Sequence, residues 1–162
     1  MSSPWSGNAD SAGIHVPPPF VYAAAVLAGF FVERRWPWRI LSSSATSLLE
    51  ATGLVAGAIA LVLMFAAIAR FRRHRTSILP IKPTMAIAKD GPYRFTRNPM
   101  YLGLLILSMA LALVMNSVWP LLFLFPAVAV MNRAIISREE TYLERKFGEE
   151  YLEYKRRVHR WI

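Results

Sequence analysis

Two long apolar intervals dominate the pattern of hydrophobic and polar positions in this chain. Residues 51–69 contain no charged side chain, and neither do residues 98–132. An α-helix rises about 1.5 Å per residue, so ~20 apolar residues cross the ~30 Å hydrocarbon core of a bilayer. The pattern therefore predicts an all-α, multi-spanning membrane protein.

The second interval is too long for one ordinary span and is interrupted in its middle. Asn116, Ser117 and Pro120 lie there, and residues of these types mark turns. We therefore predict a helical hairpin, with helices at about 100–115 and 118–136 whose outer ends return to the same side of the membrane.

Two further helices are predicted nearer the amino terminus, which makes about four transmembrane helices. Residues 20–32 are apolar but give only ~20 Å of helix, so they span only if their flanks contribute. A second helix contains the 51–69 interval, and Ser42, Ser43 and Ser44 offer caps for it.

Gly53 and Gly57 stand four residues apart within the second helix. This spacing lets two helices approach closely. We expect it to serve ordinary helix packing, with a dedicated dimer interface as the alternative. The oligomeric state is not predicted.

Charge adds an orientation to this picture. The formal net charge is +9, and residues 70–97 and 133–160 each contain eight Lys or Arg. Cationic segments that flank apolar spans lie on the cytoplasmic side, where they meet anionic lipids. We expect both stretches there, with membrane lipids and not nucleic acid as partners. Arg34, Arg35 and Arg39 then fall on the outer side, against the rule.

The composition excludes several kinds of site. The chain has no cysteine, which removes disulfides, thiolate metal sites and a cysteine nucleophile. His15, His74 and His159 are widely separated, so no metal site is predicted. The first 32 residues contain no Lys or Arg, unlike a secretory signal, and we expect residues 1–19 to form a retained tail.

The segment 90–103 combines turn-forming, cationic and helix-starting positions. Gly91 and Pro92 form a turn, and the Asn98-Pro99 step disfavours helix at the first residue and starts one at the second. Free backbone N–H groups at such a helix start bind anionic groups. The alternative is an anchoring loop whose arginines reach the membrane surface.

After Arg138 the sequence becomes amphipathic. Its apolar positions are three or four residues apart, which predicts one cytoplasmic C-terminal amphipathic helix. Glu139 and Glu140 occupy its first turn, where carboxylates also complement the helix dipole. The apolar face consists of Leu143, Phe147, Tyr151, Tyr154, Val158 and Trp161.

The motif residues in these two segments are Gly91, Tyr93, Arg97, Asn98, Pro99, Tyr101 and Gly103, then, after the hairpin, Glu139, Glu140, Phe147, Gly148, Tyr151, Tyr154 and Val158. In this order they resemble the isoprenylcysteine carboxyl methyltransferase and phospholipid methyltransferase superfamily of integral membrane enzymes. The resemblance covers about residues 82–162, a methyltransferase core that follows the predicted tail at 1–19 and two N-terminal membrane helices at 20–81.

The resemblance implies methyl transfer from S-adenosylmethionine to a lipidic or amphipathic acceptor, in a site that faces the cytoplasm. Arg97 and Glu140 would be catalytic, with Glu140 and Glu139 facing the positive charge of the cofactor. Arg97, Arg133 and Arg138 would bind substrate. The cofactor wall would further comprise Ile87, Ala88, Tyr93, Asn98, Pro99, Met100, Tyr101 and Gly103.

The sequence departs from the superfamily pattern in two places. Asn98 stands where the superfamily usually has histidine, so no imidazole base is available there. Ile135 and Ile136 occupy the region where the prenylcysteine enzymes carry an arginine, which weighs against recognition of a prenylcysteine carboxylate. A phospholipid N-methyltransferase, an NADPH-dependent membrane reductase and a non-enzymatic scaffold or transporter are the alternatives.

Overall fold

A computed structural model describes residues 16–42, 46–73 and 86–162. Over these ranges the protein is helical and contains no β-strand; one isolated bridge joins Arg39 to Ser117. The expectations for the tail before residue 16, for caps at Ser43 and Ser44 and for His15 and His74 lie outside the described residues. The helices are α1 Pro18–Arg35, α2 Thr46–Arg73, α3 Pro99–Val114, α4 Val118–Val130, α5 Ser137–Phe147 and α6 Glu149–Arg157, with a 3₁₀ turn Gly91–Arg94 and a π-helical turn Met131–Ile136.

The predicted hairpin is present as α3 and α4. Pro99 begins α3, as expected for a residue that fixes the backbone at the first helical position. Asn116 adopts a left-handed backbone conformation, with φ of 50°, and turns the chain into α4. The π-helical turn then continues without interruption into α5, so the acidic pair lies within a long helix that starts in the hairpin.

Within the described ranges, two helices are long and apolar enough to cross a membrane, α2 and the continuous helix Val118–Phe147. The uncharged part of the second ends at Asn132. α3 is apolar but has only 16 residues, and α1 ends in three charged residues. The outer surface of α2 is apolar and exposed, as a surface facing lipid requires; it includes Leu54, Val55, Ile59, Val62 and Phe65.

Glycines bring the helices of the bundle together in two pairs, α2 against α3 and α1 against α4. A Cβ atom on Gly53 would lie 2.8 Å from the carbonyl oxygen of Ala110, and one on Gly103 would lie 2.4 Å from Cγ of Met64. Gly53 therefore packs α2 against a helix of the same chain, which accords with the expectation of ordinary packing.

Polar contacts fasten the end of α1 to the hairpin turn. Oε2 of Glu33 accepts hydrogen bonds from the Trp38 amide at 3.1 Å and from Oγ of Ser117 at 2.7 Å. The side chain of Asn116 donates to the Leu41 carbonyl at 2.9 Å. Segments 33–42 and 115–119 thus share one end of the bundle, and the described parts of the two cationic stretches meet at the opposite end.

The C-terminal region differs from the prediction of one amphipathic helix. Gly148 has φ of 55° and ψ of −129°, a backbone conformation that ends α5 and that side-chain-bearing residues rarely adopt. The chain restarts as α6 in a new direction, and residues 158–162 continue without helix. The periodicity persists across the break because Tyr151 and Tyr154 still face inward.

We expect Gly29→Ala to destabilise the bundle. A Cβ atom at position 29 would lie 2.4 Å from the backbone nitrogen of Pro120, and backbone atoms cannot move aside as a flexible side chain can. Overpacking of this kind costs ~1 to 3 kcal/mol, which thermal unfolding in detergent would reveal as a lower transition temperature.

Gly57→Ala is the matched control. A Cβ atom there meets nothing closer than the Cβ of Ala110 at 3.7 Å, an ordinary van der Waals contact. A Gly29→Ala protein as stable as the Gly57→Ala protein would contradict the close approach of α1 to α4.

Candidate functional site

A cavity opens at the end of the bundle opposite the hairpin turn. It lies between the last turn of α2, the segment 86–98, the start of α3 and the helices α5 and α6. Apolar and aromatic side chains form most of its wall, with one cationic and two carboxylate side chains. The lining residues are Phe71, Ala86, Ile87, Ala88, Tyr93, Arg97, Asn98, Pro99, Met100, Tyr101, Glu139, Glu140, Leu143, Tyr151 and Tyr154.

The 3₁₀ turn Gly91–Arg94 is held in place from two sides. The hydroxyl of Tyr154 donates to the Tyr93 carbonyl at 2.7 Å, and the rings of Phe71 and Tyr93 meet edge to face with centroids 5.3 Å apart. Nη1 of Arg70 lies 2.9 Å from Oδ2 of Asp90. These contacts fix the loop against both α2 and α6.

The start of α3 presents backbone donors beside the cavity. The first intrahelical hydrogen bond runs from the Leu102 amide to the Asn98 carbonyl at 2.9 Å. Helix geometry leaves the N–H groups of Met100 and Tyr101 without an intrahelical acceptor, and no side chain caps this end. The start of α3 therefore offers two backbone N–H groups to the cavity, a feature that favours an anion.

Glu139 has no positively charged partner among the described residues, in contrast to Glu140. The hydroxyl of Tyr101 donates to its Oε2 at 2.9 Å. Glu139 lies beyond the uncharged interval that ends at Asn132. Its surface is only partly covered because it borders the cavity, but surrounding protein desolvates the carboxyl and, with the nearby charge of Glu140, raises its pKa to about 7, against the opposing effect of the Tyr101 hydrogen bond.

Glu140, by contrast, is only 5% exposed and is surrounded by cations. Arg160 donates from Nε to Oε1 at 3.0 Å and from Nη2 to Oε2 at 2.7 Å. Nη1 of Arg97 lies 3.1 Å from Oε1, and Nζ of Lys155 lies 3.8 Å from Oε2. Glu140 therefore organises three positive side chains.

Arg97 connects this cationic group to the cavity. Its side chain is only 9% exposed, yet neither Nε nor Nη1 makes a hydrogen bond among the described residues, although Nη1 lies 3.1 Å from Oε1 of Glu140. A buried guanidinium nitrogen without an acceptor is energetically costly, and a carboxylate in the cavity would satisfy it.

The residues present fit the amino-acid part of S-adenosylmethionine. Arg97 and the N–H groups at the start of α3 suit its carboxylate, and Glu139 suits its positive charge. The aromatic and apolar wall suits its nucleoside. Among the described residues no group of three acidic or histidine side chains comes together to hold a metal ion.

Three of the sequence-predicted site residues do not line the cavity. Gly103 packs against α2, since its missing side chain makes room for Met64. Arg133 and Arg138 are exposed on the outer side of the long helix. The other predicted residues do line it: Ile87, Ala88, Tyr93, Arg97, Asn98, Pro99, Met100, Tyr101, Glu139 and Glu140.

Sequence reasoning missed Arg160, Lys155 and Phe71. Arg160 and Lys155 stand among many other C-terminal cations, and no spacing singles them out. Tyr151 and Tyr154 belong to the motif and to the predicted apolar face but were not among the predicted site residues; both line the cavity, and burial raises the pKa of both. Both hydroxyls therefore stay protonated at neutral pH.

Two comparisons with known proteins bear on this site. The model of the family described as phospholipid methyltransferase matches residues 48–150, from α2 to the first residues of α6. An uncharacterized protein of Haemophilus influenzae is 44% identical to this chain over 63 residues, which are 39% of this chain and all of that protein.

Proposed function

The chain belongs to the phospholipid methyltransferase family, and from this premise we propose that it transfers a methyl group from S-adenosylmethionine to a lipidic or amphipathic acceptor in a membrane. The observation that carries the proposal is the pairing in one cavity of Arg97, which has buried donors without hydrogen bonds, with Glu139, a carboxylate without a cationic partner among the described residues.

S-adenosylmethionine carries its methyl group on a positively charged sulfur. An acceptor would attack the methyl carbon in line with the carbon–sulfur bond, and S-adenosylhomocysteine would leave as a neutral thioether. Such a reaction depends on the relative placement of donor and acceptor, and orientation alone can lower a barrier by ~7 to 11 kcal/mol. Arg97 would fix the carboxylate end of the cofactor, and Glu139 would stabilise its positive charge. The cavity wall from Ile87 to Tyr101 would hold the remainder and exclude water.

The membrane arrangement belongs to the same proposal. The four helices α1 to α4 would cross the bilayer, with the cavity on the cytoplasmic side because the cationic segments lie at that end. A polar cofactor would then enter from the cytosol and a lipidic acceptor from the bilayer. Arg133 and Arg138 would contact lipid headgroups at the surface, since they lie outside the cavity.

The acceptor is proposed only as a class. The superfamily includes enzymes that methylate prenylcysteine carboxylates and enzymes that methylate phospholipid amines. Ile135 and Ile136 are both buried and offer no cation to an acceptor carboxylate near the acidic pair. The family description favours a phospholipid, and the resemblance at the C terminus favours a prenylcysteine-like acceptor.

The test is incubation of the purified protein with methyl-labelled S-adenosylmethionine and fractionated membrane lipids, followed by identification of the labelled product. Arg97→Gln should lose labelling, whereas Arg156→Gln should retain it because Arg156 pairs with Glu149 at the exposed surface. Absence of label in every lipid and prenylcysteine fraction, together with a failure to bind S-adenosylhomocysteine, would refute the proposal.

Cofactor affinity should depend on the protonation of Glu139. Because the pKa of Glu139 is raised in the folded protein, ionisation of this carboxyl destabilises the fold, and its contribution to stability is lost as the pH rises through about 7. Cation binding depends on pH in the opposite direction, because a cation binds the ionised carboxylate and so binds more tightly at higher pH. Affinity for S-adenosylmethionine should therefore increase on the order of tenfold between about pH 5.5 and 7.5, as measured by calorimetry.

Glu139→Gln is the control for this pH dependence. The amide keeps the hydrogen-bonding shape but does not titrate, so its affinity should be nearly constant over the same interval. An equally steep pH profile in the glutamine variant would show that another group is responsible.

A further inference from the structure

The last residues of the chain form one edge of the site. The Arg97 amide donates to the His159 carbonyl at 2.9 Å. The Arg160 carbonyl accepts two hydrogen bonds, from Oγ1 of Thr96 and from Nδ2 of Asn98, both at 3.0 Å. Nε1 of Trp161 donates to Oδ1 of Asn132 at 3.0 Å. We call residues 158–162 the C-terminal strap.

The side chain of Arg160 adds a second connection between the C-terminal strap and the site. Its two donors engage both oxygens of Glu140, the bidentate geometry in which a guanidinium binds a carboxylate most strongly. Arg160 therefore engages both oxygens of Glu140 in the structure that also contains the Arg97 contact. Arg97 contacts only Oε1, without hydrogen-bond geometry, and its Nε remains available.

We propose that Arg160 is a positioning residue, which holds Glu140 so that Arg97 stays available to a ligand carboxylate in the cavity. This inference rests on the proposed function, because it assigns that carboxylate to the cofactor. Arg160 lies outside residues 48–150, which match the family model. Its proposed role therefore rests on contacts within this chain and not on the family match.

Removing the Arg160 side chain removes the bidentate pairing of Glu140 and leaves the carboxylate with its contacts to Arg97 and Lys155. Arg97 is the nearest buried cation and takes the vacated oxygen, so that fewer of its donors face the cavity. The expected result for Arg160→Gln is a loss of affinity on the order of tenfold for ligands that carry the amino-acid carboxylate. A ligand that lacks the carboxylate should bind as before.

Two probes distinguish ligands with the carboxylate from ligands without it. S-adenosylhomocysteine carries the amino-acid end, and 5′-methylthioadenosine lacks it. Calorimetry on the full-length protein should show that Arg160→Gln weakens the first and leaves the second unchanged. Arg160→Lys should restore part of the loss, because an ammonium still pairs with Glu140 but cannot bridge both oxygens. Arg157→Gln is the control, since Arg157 pairs with Glu153 at the exposed surface.

The double variant Arg97→Gln, Arg160→Gln supplies the second readout. If Arg160 acts through Arg97, the two losses should not add, and the double variant should resemble Arg97→Gln alone. Additive losses, or equal weakening of both probes, would overturn the proposal and leave Arg160 with a structural role. Thermal unfolding of each variant identifies any protein that fails to fold, and Arg160→Lys then carries the test.

Failure of the proposed function has a different signature. In that case the wild-type protein binds neither nucleoside probe. The positioning of Arg97 is then tested in the ligand-free protein. Phenylglyoxal modifies arginine side chains, and mass spectrometry measures how fast it modifies Arg97. Arg97 should react more slowly in Arg160→Gln than in wild type, because Glu140 then engages its guanidinium; an unchanged rate refutes the positioning role.

Discussion

Glu140→Ala should weaken binding of S-adenosylhomocysteine by ~2 to 4 kcal/mol, the largest effect expected of any single substitution in the cavity. The carboxylate is 5% exposed and is the shared partner of Arg97, Arg160 and Lys155. Its removal leaves the buried charge of Arg97 without its carboxylate beside two partly exposed cations, and all three repel the positive end of the ligand. Calorimetry measures the affinity, and thermal unfolding measures the accompanying loss of stability.

Glu149→Ala is the matched control for this prediction. Glu149 lies in the same C-terminal region and also pairs with an arginine, Arg156, but the pair is exposed. Exposed ion pairs contribute ~0 to 1 kcal/mol, so this variant should bind the ligand almost as wild type does. Unchanged affinity in Glu140→Ala would remove Glu140 from the cofactor site.

The second prediction concerns Asn98. Its side chain lines the cavity and donates to the Arg160 carbonyl, so it joins the cavity wall to the C-terminal strap. Asn98→Leu cannot donate, so the Arg160 carbonyl keeps only its hydrogen bond from Thr96, and the loss of one such bond costs ~0.5 to 1.5 kcal/mol. We expect cofactor affinity and activity to fall together in this variant, because the strap loosens beside Arg97.

Asn98→His should keep substantial activity, because an imidazole N–H can donate to the same carbonyl. The measurement is a pH–rate profile for wild type and both variants at saturating acceptor and cofactor. At saturation the wild-type rate should show no essential titration near 6.5, the unperturbed pKa of histidine. The pH dependence expected from Glu139 belongs to cofactor binding and should appear only at low cofactor concentration. Full activity in Asn98→Leu would show that this side chain has no part in the site.

Much of the fold follows from the sequence because apolar length and turn chemistry determine it. The predicted hairpin at 100–115 and 118–136 agrees with α3 and with α4 plus its π-helical turn, since an uncharged interval with polar residues at its centre has few alternatives. The first helix is longer than the apolar stretch 20–32, because its charged and proline-containing flanks continue the helix.

The break at Gly148 was not predicted because periodicity is insensitive to it. Spacings of three and four residues continue through the glycine, and only its positive φ ends the helix. A glycine within an amphipathic pattern was the available signal, since glycine is the residue that most readily adopts such a conformation.

The site was predicted less completely than the fold. Tyr93 and Glu139 were found because they are motif residues, each within a short segment of characteristic spacing. Arg160 was not, because its role depends on hydrogen bonds to residues 20 and more positions away. Gly103 belongs to the same motif but serves packing against α2, because a helix presents neighbouring motif positions to different sides.

The pairing of α1 with α4 also constrains how the protein enters the membrane. α1 buries Tyr22, Ala25 and Gly29, and the surface that covers them belongs largely to a helix made much later. Ser117, which fastens the end of α1, follows Glu33 by 84 residues. In the proposed arrangement of four spans, the inner face of α1 therefore stays uncovered until α4 is made, and the packing of α1 against α4 forms late.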